Sequence, residues 1–157
     1  MTDYPDTRPP TPTRIRAWEA AHREAIDSWL LDTANGLRAA IHAEAEALTD
    51  DPAFRPLVRV MLAAALIDAT YDLRSWEGGI AQSFDYSGGQ IATAAGQARD
   101  SRISRWPGLP EVAAASTAAW ENRNDPAYRP EPVAGRRLSI TVDTYRPDDA
   151  GEPRNAK

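Results

Sequence analysis

The sequence predicts an all-α fold: a four-helix bundle with a central apolar helix, a glycine-bracketed loop and an extended C-terminal tail carrying one strand. Three observations predict it. Apolar residues recur at three- and four-residue spacing over residues 14–48. Residues 57–67 (LVRVMLAAALI) hold only one charge, Arg59. Prolines crowd both ends, with four in residues 1–12 and five in residues 125–157, so the foldable part is 13–124. The chain therefore divides into an N-terminal arm (1–12), a helical bundle domain (13–124) and a tail (125–157).

The arm, MTDYPDTRPPTP, lacks the apolar content to offset the entropy of ordering and reads as extended. Thr13 is the expected N-cap of the first helix, which starts near Arg14. Its inward face comprises Ile15, Trp18, Ala25, Ile26, Trp29, Leu30, Leu37, Ile41 and Leu48. Asn35-Gly36 is the expected kink. Asp50-Asp51-Pro52 closes the helix and opens the next, because Asp suits an N-cap and Pro the first helical turn.

The second helix, about 57–76, is apolar all round and is therefore expected to be buried all round. Gly78-Gly79 is expected to stop it. Ile80, Gln82, Phe84 and Tyr86 then alternate with polar or small residues, a strand-like period inside a loop closed by Gly88-Gly89. A weak third helix follows at about 90–105, ended by Trp106-Pro107-Gly108, and a fourth at about 110–122. In the tail, Arg136-Arg137 precede Leu138, Ile140, Val142 and Thr144, which alternate with Ser139, Thr141, Asp143 and Tyr145. This is the clearest strand signal in the chain. An isolated strand is unstable, so it should pair with the 80–87 loop or with another chain.

Composition excludes several function classes. The net charge of −5 comes without any basic block, which argues against nonspecific nucleic-acid binding and against docking on an anionic membrane. With no cysteine, disulfides, thiolate metal sites and thiol nucleophiles are excluded. The N-terminus does not read as a signal peptide, and no apolar run reaches the ~20 residues of a membrane span.

Chemical motifs are incomplete. Glu19-Ala-Ala-His22 has the E-x-x-H spacing of a carboxylate-bridged metal helix, but one such motif is half a site. His42, Glu44 and Glu46 read as a solvated helix face. Asp68 and Asp72 stand one turn apart after the apolar run. They could hold a metal or share a proton, but pairing with Arg59, Arg74 or Arg99 is the simpler expectation. The glycine pairs form no phosphate loop. Ser75, Ser83, Ser87 and Ser116 have no neighbouring histidine, and the tryptophans suit core packing. No catalytic, cofactor or metal residue is assigned, and a non-enzymatic protein is expected.

Two resemblances follow from particular residues. Pro56, Val58, Arg59, Val60 and Ala63 to Ala65, then Gly79, Ile80, Ser83, Asp85, Tyr86 and Ser87, resemble the apolar helix and "D-Y-S" segment of head-to-tail adaptor (connector) proteins of long-tailed double-stranded DNA phages. The RRLSITVDTY tail (136–145) looks like that family's basic, alternating C-terminus. Helix 1 is longer than in that pattern, and residues 106–135 have no counterpart in it. The resemblance implies a virion structural protein forming a ring, possibly of twelve copies, assembled in the host cytoplasm. Its partners would be the portal protein and the next tail-side connector, with DNA passing through without specific binding. The partner-binding residues would be Ile80, Gln82, Phe84, Tyr86, Arg136, Arg137, Leu138, Ile140, Val142 and Tyr145. On that reading, removal of 136–157 leaves a folded protein that no longer assembles. Separately, Trp76-Glu77-Gly78 is similar to the W-x-G turn of small helical-hairpin proteins exported by type VII secretion. That likeness implies a secreted interaction protein as the alternative, beside a carboxylate-based helical metal protein or enzyme.

Overall fold

The computed structural model describes residues 10–97 and 102–142, and within them the fold is all-α with a small C-terminal hairpin. Helix α1 spans Pro12–Leu48, α2 Arg55–Ser83, α3 Gly88–Ala94 and α4 Leu109–Glu121. A 3₁₀ turn at Ile103–Arg105 lies between α3 and α4. Strands β1 (Val133–Ala134) and β2 (Ser139–Ile140) pair antiparallel, with Val133 opposite Ile140 and Ala134 opposite Ser139.

α1 begins two residues before the expected start. Thr11, not Thr13, is the N-cap: its hydroxyl accepts from the Arg14 amide at 3.3 Å, and Pro12 takes the first helical position. Asn35-Gly36 produces no break, and α1 runs unbroken for 37 residues. One exposed glycine costs a helix only about 1 kcal/mol, which the helix formers around it outweigh. The turn at 49–54 departs from expectation: α2 starts at Arg55 with Phe54 as its N-cap and Pro56 in its first turn, so Asp50-Asp51-Pro52 forms the connection and does not cap α2. The Asp51 carboxylate accepts from the Ala53 amide at 2.9 Å, and Arg55 Nε donates to the Thr49 carbonyl at 3.3 Å.

α2 departs from expectation in two ways. It passes straight through Gly78-Gly79 and ends only at Phe84. The glycines are a crossing point rather than a stop. A Cβ on Gly79 would lie 2.7 Å from the Leu109 carbonyl oxygen and 2.8 Å from Val112 Cβ. Only bare backbone lets α4 sit that close. Chain reversal happens later, where Asp85 adopts φ 66 and Ser87 caps α3 in a reciprocal capping box with Gln90. The 80–83 segment is therefore helix, not a strand-like loop, and Trp76-Glu77-Gly78 lies inside α2 rather than at a turn between helices.

The second departure concerns burial. α2 is the helix around which α3, α4 and the start of α1 gather, but it is buried in its second half. Asp72, Ser75, Trp76, Gly78 and Gly79 are buried there. In the first half Leu57, Val60, Met61 and Ile67 are exposed. The core forms two clusters. Ile91, Ala92, Ile103, Trp106 and Leu109 make one. Trp76, Val112 and Val133 make the other, flanked by Ile80, Ala115, Ile140 and Val142.

The third helix is shorter than predicted, seven residues, because Gly96 turns with φ 67. The tail strand finds its partner inside the chain, in residues 133–134, and neither in 80–87 nor necessarily in another molecule. Part of the 125–157 tail thus belongs to the bundle's core.

Candidate functional site

Three features concentrate the unusual chemistry. The first is a clamp on Asp72. This residue is 1 % exposed and sits on the α2 face turned toward the β1–β2 turn. Its Oδ1 accepts from the Arg136 amide at 2.6 Å, and its Oδ2 from the Arg137 and Leu138 amides at 2.8 and 2.9 Å. The turn is tight enough that the Gly135 amide also donates to the Leu138 carbonyl at 2.7 Å. A Cβ on Gly135 would collide with the Asp72 carboxylate, so glycine is required by close approach. Burial pushes the Asp72 pKa up. The three amides and the Arg136 charge outweigh it and hold the carboxyl below its ordinary 3.8.

Side chains reinforce this clamp. Arg137 Nε lies 3.5 Å from Asp68 Oδ2. The Arg136 guanidinium stands 4.9 Å from the Tyr71 ring centre. Arg74 lies 4.2 Å from the Trp106 ring centre and 4.9 Å from that of Tyr71. Asp68 thus pairs with Arg137 of the tail and Asp72 with tail amides, rather than with the expected Arg59 or Arg74; Arg74 lies over the Trp106 and Tyr71 rings instead. Arg99 lies outside the described residues.

The second feature is an open cleft of about 700 Å³. Its walls are mostly apolar: Ile15 and Trp18 from the start of α1, Ala81 near the end of α2, Tyr86, Ile91 and Trp106. Arg14, Arg74 and Glu77 supply its charges. Gln90 Nε2 closes one end by donating to the Pro10 carbonyl at 2.7 Å.

The third feature is apolar surface without a partner. Along α2, Leu57, Val60, Met61, Ala64, Ile67 and Tyr71 follow helical spacing and all are exposed. Along α1, Trp18, Ile26, Trp29, Leu30 and Leu37 are exposed, with Trp29 at 65 %. The period read from the sequence is present, but the face it marks is left open.

The partner residues expected from the sequence scatter over these features. Arg136, Arg137 and Leu138 form the clamp turn. Ile140 and Val142 pack against the Trp76 cluster, as does Ile80. Phe84 is buried at the end of α2, Gln82 is exposed on it, and Tyr86 lines the cleft. Ile80, Gln82, Phe84 and Tyr86 therefore do not share one presented loop. Tyr145 lies outside the described residues.

Metal chemistry gains no geometry. Among the described residues His22 meets no carboxylate; its Nδ1 is 2.8 Å from the Trp18 carbonyl and its ring stacks on Trp18 at 4.0 Å. Among the described residues no three His, Asp or Glu side chains converge as a metal site. Ser83 and Ser116 are bonded to each other at 2.8 Å across the α2–α4 contact, which is packing rather than a nucleophile with a base. No described helix is long and apolar enough to cross a membrane. No family model matches the chain, and no curated protein or solved structure matches it either.

Proposed function

We propose that this protein is a non-enzymatic structural subunit that works as an oligomer of itself, in the manner of a phage head-to-tail adaptor ring between portal and tail components. One observation carries the reading: the α1–α2 hairpin leaves apolar stripes open on both helices. At about six-tenths exposure an indole alone leaves roughly 100–150 Å² in water. The stripes together amount to on the order of 1,000 Å², above the largest patch of an ordinary monomer and enough for the ~800 Å² per partner of a stable interface. Such faces repeat identically on every copy, so a homo-oligomer covers all of them. The resemblance of residues 56–65 and 79–87 to connector proteins, and the tail that follows, agree with a ring. A net charge of −5 per copy suits a lumen through which DNA slides without adhering.

The test is the mass of the purified chain by sedimentation and mass photometry, alone and with a portal ring, followed by negative-stain imaging. A closed ring, or an added ring density under the portal, is the expected result. Val60→Ser with Met61→Ser should leave helix content and thermal unfolding unchanged and shift the mass toward monomer. A wild-type chain that stays monomeric at high concentration and ignores the portal refutes the reading.

A further inference from the structure

We infer that two free copies of this chain pair through α2, antiparallel and about a two-fold axis. The inference goes beyond the ring reading and does not require it. The first half of α2 has two apolar sides. Val58, Leu62, Ala65 and Ala69 are half-buried and mark the side that the chain itself covers. Leu57, Val60, Ala64, Ile67 and Tyr71 are exposed. At about 100° per residue, Ala64 stands roughly half a turn from Leu62, so the exposed stripe faces away from the covered side. Its spacing alternates three and four residues, which is the seam of a coiled coil. Beside the seam stand Met61, Ala63 and Thr70, and Asp68, the one acid among them, is held by Arg137 of its own chain.

The seam itself selects its occupant. In an antiparallel pair the two rows of the seam meet crosswise. Leu57 of one copy then lies beside Ile67 of the other, and Val60 beside Ala64, while Tyr71 falls over Ala53 of the other copy's turn. The two-fold axis runs past Met61 and Ala63. Each layer is apolar, and the alanines near the axis let the two backbones approach closely. A parallel pair fits worse. It sets Ala64 on Ala64, a gap between two layers of larger side chains. It also brings together the two ends that carry α4 and the tail hairpin, which the antiparallel pair holds apart. A second copy supplies the identical stripe, so one contact covers both. Stripe and Met61 expose on the order of 500 Å² per copy, about 1,000 Å² for the pair, the size at which specific interfaces begin.

Sedimentation of the full wild-type chain over a concentration series should give a mass of two copies. Ala64→Glu and Val60→Arg, both at exposed positions, should each weaken pairing at least about tenfold with helix content unchanged. Mixed in equal amounts they should pair again, because acid and base then meet across the seam. The chain has no cysteine, so single cysteines report the register through a short thiol cross-linker. Ala63→Cys should link to itself. Leu57→Cys and Ile67→Cys should link to each other in a mixture, and neither to itself. Cross-linking decides the register even if a charged variant fails to fold. A wild-type chain that stays monomeric overturns the inference, as do charged variants that pair like wild type. Leu57→Cys linking to itself overturns the antiparallel arrangement. Pairing that appears only after residues 143–157 are removed overturns it too, since the chain's own tail is then the cover. A free monomer that still forms a ring on the portal overturns this inference alone. A pair that never adds to the portal upholds it and removes the ring.

Discussion

Replacing Asp72 with alanine should cost far more than the loss of one surface-adjacent acid. The carboxylate accepts from three main-chain amides, those of Arg136, Arg137 and Leu138. A hydrogen bond to a charged group contributes about 1.5–3 kcal/mol, and a buried donor left unpaired costs about 1–3 kcal/mol. Full addition overshoots, because the turn can lift and let water reach the amides. Lifting it, however, pulls Val133, Ile140 and Val142 off Trp76, which removes packing as well. The net loss should therefore match that of breaking a buried charged cluster, about 3–5 kcal/mol. At about 2–4 °C per kcal/mol for a chain of this size, the unfolding midpoint should drop by roughly 6–20 °C. The assay is calorimetric unfolding combined with amide exchange at residues 136–138. Asp72→Asn keeps the shape and separates charge from volume. Because the native pKa lies below the unfolded one, the carboxylate's contribution is present above the ordinary carboxyl range and lost as pH falls through the native value. The gap between wild type and Asp72→Asn should be widest at neutral pH and close in acid below 3.8. A loss under about 1 kcal/mol, with amides 136–138 still protected, would refute the clamp.

Two glycine substitutions should move stability in opposite directions. Gly79→Ala forces a Cβ against the Leu109 carbonyl and Val112, and should destabilise by about 1–3 kcal/mol in chemical denaturation, since α4 must shift. Gly36→Ala meets nothing within 4 Å on an exposed, unbroken helix and should stabilise by about 0.5–1 kcal/mol; no gain there would point to a break in α1 after all.

Local patterns were readable where one segment decides its own conformation. The α1 period and the start of α4 at Leu109-Pro110 follow from apolar spacing and from Pro in the first helical turn. What was not readable depends on a distant partner. Gly78-Gly79 looks the same whether glycine ends a helix or lets another helix approach, and only α4 at Leu109 and Val112 decides between them. Val133-Ala134 is a two-residue strand flanked by Pro130, Pro132 and Gly135, a composition that reads as loop. It forms because Ile140 and the Asp72 clamp hold it. Asp72 itself stood out as an acid following an apolar run. Its partners are peptide amides 64–66 positions away, which carry no side-chain signature. The apolar stripes were visible as periods, and the expectation that they are buried within one chain failed. Periodicity specifies a face but not whether the same molecule covers it.

The clamp also revises what the tail does, and two truncations make the revision testable. Stopping the chain after Val142 removes fifteen residues, 143–157, and leaves every bond of the clamp in place. Stopping it after Gly135 takes the three amides from Asp72, the partner strand from Val133 and the covering side chains Ile140 and Val142 from Trp76. A buried carboxylate then stands beside an opened core, and it must either be hydrated or take up a proton. The longer chain should therefore unfold within a few degrees of wild type. The shorter one should lose at least as much as Asp72→Ala, about 4 kcal/mol or more. In the shorter chain Asp72→Ala should no longer destabilise, because the charge has lost its partners, and should even restore stability by removing an unpaired buried ion. That reversal of sign is specific to the clamp. A tail serving only as an extended arm predicts no coupling between residue 72 and residues 136–138. Thermal melts of the four chains, full-length and stopped after Gly135, each with Asp72 or Ala at position 72, measure it directly. Additive losses would return residues 136–142 to the role of a detachable arm.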